Sequence, residues 1–107
     1  MTVKRIWHGW TTPENADKYQ ALLNQEVFPG IEQKNIPGYV SMELLRRDLD
    51  EEVEFVTIMT FESIENVIDF NGSDYELSYV PDVAQAVLKR WSELSSHYQA
   101  IENRVYN

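Results

Sequence analysis

The sequence predicts an α+β domain of βαββαβ order, a four-stranded antiparallel sheet with helices on one face, and three observations carry that expectation. An alternating run from Val53 to Glu62 passes within one or two residues into a short helix signal that opens at Ser63 and closes at Gly72. A first strand-like run carrying Arg5, Trp7 and Gly9 leads into a helix start at Thr12-Pro13. A last alternating run carries His97-Tyr98. Strands that turn directly into covering helices imply a pocket between sheet and helices, walled by aromatic rings.

Each element has a physical reason. Val3 to Trp10 alternates in two sets, Arg5/Trp7/Gly9 and Lys4/Ile6/His8/Trp10, rich in residues that suit a pleated surface. Thr12 is placed as an N-cap before Pro13, with Glu14 and Asp17 near the positive end of the helix dipole. Ala16, Tyr19, Leu23 and Val27 then recur at helical steps, and the helix is expected to bend or stop at Pro29-Gly30. Ile36-Pro37-Gly38 is a turn signal, and Tyr39–Arg47 and Val53–Glu62 read as an antiparallel hairpin joined by an acidic turn. Ser63 is expected to cap a helix from Ile64 to Phe70 whose inner face is Ile64, Val67 and Ile68. After an irregular stretch, 73–79, Pro81 opens a second helical run with Val83, Ala84, Val87, Leu88 and Trp91 on one face. Alternation resumes from Leu94 to Ile101, with His97 and Tyr98 on opposite sides.

Composition bounds the rest. A chain of 107 residues and 12.6 kDa fits one domain, residues 1–107. No apolar run approaches the roughly 20 residues of a membrane span, and the N-terminus lacks a secretory profile, so a cytoplasmic protein that avoids membranes is expected. With no cysteine there is no thiolate nucleophile or thiolate metal site. A net charge of −9 repels phosphate backbones, which excludes nucleic acid as an expected partner. Asp48 to Glu52 reads as a solvated turn, since it lacks the glycine and distal ligand of a calcium loop. His8 and His97 have no metal-ligand spacing, and the four glycines form no phosphate loop, so neither a metal nor a nucleotide or flavin is expected.

Two helices on one face of such a sheet make a ferredoxin-like arrangement and leave the other face bare. Val56, Ile58 and Thr60 would form an exposed apolar patch there, so a homodimer closed sheet to sheet is expected, a dimeric α+β barrel.

The chain resembles the antibiotic biosynthesis monooxygenase family of small dimeric α+β barrels. The resemblance is carried by Arg5-Ile6-Trp7-His8-Gly9-Trp10, Ala16-Asp17-Lys18-Tyr19, Pro37-Gly38-Tyr39 and Leu44-Leu45-Arg46-Arg47 in the first half. Glu52-Val53-Glu54-Phe55, Phe61-Glu62-Ser63-Ile64, Phe70-Asn71-Gly72, Val80-Pro81 and His97-Tyr98 carry it in the second. It implies a monooxygenase (an oxidoreductase) that needs no cofactor and acts on a small aromatic or quinone-like molecule. His97 would be the acid/base, Arg5 the cation for a developing oxyanion, Trp7 and Phe61 the walls, and Asn71, Tyr79 and Tyr98 the hydrogen-bonding groups. The haem-degrading branch needs an Asn on the first strand, a Trp at the end of the third and a His on the next helix; here those places hold Trp7, Phe61 and no histidine, so haem is not expected. Two other functions suit the same fold: a non-catalytic binding or stress-response module, and an isomerase or decarboxylating enzyme using His97 as a proton shuttle.

The candidate residues also have structural readings. Trp7 suits core packing, His97 a bond to a backbone carbonyl, and Arg5 an ion pair with one of the many carboxylates. His8 alternates with Trp7 and should face the partner subunit or solvent in a structural role.

Overall fold

The computed structural model describes residues 2–107. Strand β1 (Val3–Thr11) leads into helix α1 (Pro13–Leu22), a π-helical turn (Leu23–Val27) and helix α2 (Phe28–Glu32). The hairpin β2 (Tyr39–Asp48) and β3 (Val53–Phe61) follows, then α3 (Ile64–Asn71), a short α4 (Asp82–Gln85), β4 (Arg90–Trp91) and β5 (Ser96–Gln99). The sheet is open and antiparallel, in the order β2-β3-β1, with β4 and β5 sharing the far edge of β1.

The α+β class and the hairpin appear as expected; the last third of the chain departs from expectation. In place of one strand from Leu94, two short pieces pair with β1, at Gly9–Trp10 and at Val3–Ile6. Trp91, expected on a helix, lies in the first piece, because the free edge of β1 recruits this segment: Lys89 N–H donates to Trp10 O at 2.8 Å and Ser92 N–H to His8 O at 2.9 Å. Ala84, Val87 and Leu88 still reach the core, since a single helical turn satisfies the same spacing, while Val83 is exposed.

Two other local expectations are corrected. The first helix does not stop at Pro29-Gly30: the π turn hands the Phe28 N–H to Leu23 O, the register changes before the proline, and the helix continues to Glu32. On α3 the buried face is Val67 and Phe70, with Ile68 exposed, and the Ser63 hydroxyl bonds the Asn66 side chain at 2.8 Å instead of a backbone N–H.

Burial along β1 alternates strictly, odd residues beneath the helices and even residues on the bare face. Under the helices lie two apolar clusters, one around Trp7, Tyr19 and Phe55, the other around Met59, Phe61 and Phe70. Gly9 belongs to the first: a Cβ there would strike Trp7 Cη2 and come within 2.9 Å of its Cζ3. The bare face carries Lys4, Ile6, His8 and Trp10 beside Val56, Ile58 and Glu54. Among the described residues no helix is long and apolar enough to cross a membrane.

Candidate functional site

β1 and β5 pair Arg5 with His97, which places both side chains on the helix-covered face. Arg5 Nη1 lies 3.0 Å from His97 Nε2. The guanidinium cannot accept a hydrogen bond, so it donates to Nε2, and the imidazole proton resides on Nδ1. Arg5 also donates from Nη1 to Tyr75 O and from Nη2 to Leu77 O at 2.8 Å. Asn71, at the end of α3, donates to the same two carbonyls at 3.3 and 2.6 Å. The irregular stretch 73–79 is therefore a strap whose backbone is clamped by two side chains from different elements.

Aromatic rings complete the site. Phe70 lies 5.5 Å below the Arg5 guanidinium and meets Phe61 at 5.9 Å and Tyr79 at 5.1 Å. Tyr75 packs edge-on against His97 at 5.1 Å. A surface cleft of about 440 Å³ opens between the strap and the final strand, lined by Tyr75, Glu76, Leu94 to Ser96, His97 and Tyr98.

Burial holds the Arg5 guanidinium down at about 10, and burial together with the Arg5 charge pulls His97 below its ordinary value, partly offset by Glu76. His97 is neutral at neutral pH. It can donate through Nδ1, while its Nε2 lone pair is held by Arg5.

Arg5, Phe61, Asn71, Tyr79 and His97 thus form one connected cluster. Trp7 and Tyr98 do not join it. Trp7 sits in the other apolar cluster, donating from Nε1 to Ser92 O at 2.9 Å, and packs as core instead of walling a hollow. Tyr98 pairs with Lys4, a register that turns it away from Arg5 and leaves it 57 % exposed, where it borders the cleft without joining the cluster. Phe61 is fully buried against Tyr39 and Phe70, so the hollow expected beneath the helices is filled. The ion pair expected for Arg5 is absent among the described residues. Phe70, Tyr75 and Glu76 were missed. Their one sequence signal is that 73–79, lacking regular structure, must find side-chain partners for its carbonyls.

On the bare face His8 Nδ1 contacts Glu54 at 2.8 Å, and Arg47 donates to the same carboxylate at 2.6 Å. Both partners hold Glu54 below the usual carboxylate range, the His8 hydrogen bond most strongly. Among the described residues no group of three potential ligands is assembled for a metal ion.

No family model matches this sequence, and no curated protein is similar to it in sequence. Solved structures share its fold. A Bacillus cereus protein named for antibiotic biosynthesis monooxygenases superposes with a TM-score of 0.70 at 13% identity, over 100% of this chain and 98% of that one. A Nitrosomonas europaea protein named likewise gives 0.65 at 10% identity, over 94% and 90%. SnoaB from Streptomyces nogalater, described as a cofactor-independent oxygenase, gives 0.59 at 14% identity, over 95% of each chain.

Proposed function

From this shared antibiotic-biosynthesis-monooxygenase fold, we propose that the chain is a cofactor-independent oxygenase of a small aromatic or quinone-like molecule, working as a cytoplasmic homodimer joined through its bare sheet faces. The observation that carries this reading is the pairing of a neutral histidine with a buried guanidinium beside an aromatic-lined cleft. A phenol or enol losing its proton next to Arg5 gains a cation for the resulting anion, and neutral His97 takes the proton at Nε2 once Arg5 turns from that nitrogen to the anion. The electron-rich anion then reduces dioxygen directly, with no external reductant: an activated methylene, as in anthrone, and one dioxygen give a carbonyl and one water, whereas a hydroquinone and one dioxygen give a quinone and one hydrogen peroxide. The likeness to a cofactor-independent oxygenase supports the reaction class.

An oxygen electrode tests this with anthrone and hydroquinone as substrates. Oxygen uptake matched to carbonyl product, reduced about a hundredfold in His97→Ala, is expected. Binding of both compounds without uptake would replace the oxygenase with a binding module. That second reading is favoured by the packed interior around Phe61 and Phe70. Turnover under nitrogen would point to the isomerase.

A further inference from the structure

Arg5 is 2 % exposed and forms no ion pair among the described residues, whereas each of the other four arginines does. Arg46 pairs with Asp17 and Asp48, Arg47 with Glu54, Arg90 with Glu52 and Arg104 with Glu102. A buried cation without an anion is costly, and a chain with 18 acidic residues has counter-charges to spare. Even Glu76, whose charge acts on His97, makes no bond to Arg5.

What Arg5 holds in place of a carboxylate are two backbone oxygens, one on each terminal nitrogen of the planar fork. That is the donor arrangement a carboxylate matches with its own two oxygens. Both carbonyls also accept from Asn71, so they keep a partner if Arg5 turns away. A second observation lies in the adjoining cleft. The Ser95 hydroxyl, on a residue 5 % exposed, has no hydrogen-bond partner among the described residues, and Ser95 lines the cleft together with His97 and Tyr75.

We propose that Arg5 is the anchor for the carboxylate of an aromatic acid, which enters the cleft between the strap and the final strand, replaces the Tyr75 and Leu77 carbonyls on the guanidinium and takes the Ser95 hydroxyl as a further donor. This inference rests on the aromatic-ligand reading above and adds the ligand's charge: the carboxylate takes both terminal nitrogens of Arg5, and the developing anion is served by the nearby positive charge instead of a direct bond. It also gives His97 a defined moment of action: as Arg5 turns to the carboxylate, the Nε2 lone pair is released to receive a proton.

Calorimetric titration of the intact protein at neutral pH with naphthoate and with naphthamide, two compounds alike in shape and different in charge, tests the assignment. The acid should bind at least about tenfold more tightly than the amide. Arg5→Gln should erase that difference, the acid then binding no more tightly than the amide to the same variant. Ser95→Ala removes an unbonded hydroxyl, so it should fold at least as well as the parent and still weaken the acid about threefold or more. Equal binding of acid and amide overturns the charge assignment and leaves the aromatic site standing; no binding of either overturns both readings. Unchanged acid affinity in Ser95→Ala overturns the placement, and this arm decides even if Arg5→Gln does not fold.

Discussion

Arg5 donates to His97 Nε2 across 3.0 Å, so the one histidine on the covered face, its pKa lowered by burial and then by the Arg5 charge, faces a guanidinium that has no carboxylate partner among the described residues. The pair joins β1 to β5, residues 92 apart in the chain, and makes the final strand part of the site.

Stability should depend on pH through His97. Its folded value lies below the ordinary 6.5, so the unfolded chain takes up the proton first as pH falls. The contribution is full above the unfolded value and is lost as pH drops below it. Urea midpoints of the parent should therefore fall more steeply than those of His97→Gln between about pH 7 and 5. Parallel slopes would mean that His97 protonates freely in the folded protein.

Gly9 is required by the ring of Trp7. Gly9→Ala would force the indole or Leu88 aside, a loss of about 1–3 kcal/mol by overpacking. A lower denaturation midpoint with altered tryptophan fluorescence is the expected result, and an unchanged midpoint would show that the cluster has slack.

Trp7 and Phe61 should separate in kind from the cleft. Trp7→Phe removes the bond to Ser92 O and should cost about 1 kcal/mol of stability without changing the preference for acid over amide. Phe61→Ala empties a fully buried site and should cost about 3–5 kcal/mol in urea denaturation.

Ile58 stands in the middle of the bare face, opposite Ile6 on one side and Glu43 on the other. If two copies meet there, equilibrium sedimentation should give a dimer for the parent and a monomer for Ile58→Glu, with helix content unchanged. A parent that sediments as a monomer would remove the dimer.

Period and punctuation in the sequence were sufficient for β1, the hairpin, the start of α1 and the extent of α3, because those features follow local rules: alternation, a proline at the first helical position of α1, a permissive glycine at the end of α3. The same alternation placed Arg5 and Phe61 on the covered face and His8 on the other. The last third was illegible locally, since the spacing of Ala84, Val87, Leu88 and Trp91 fits a long helix as well as one turn followed by a strand. Only the unpaired edge of β1 chose between them. The partners of Arg5 were decided in the same way. Sequence shows a cation among many acids, where an ion pair is the natural expectation, but the guanidinium is enclosed by carbonyls of a strap whose course no periodicity describes. Charge type and strand face are properties of a residue and its neighbours, whereas a buried donor's partner is set by whichever backbone the completed fold lays across it.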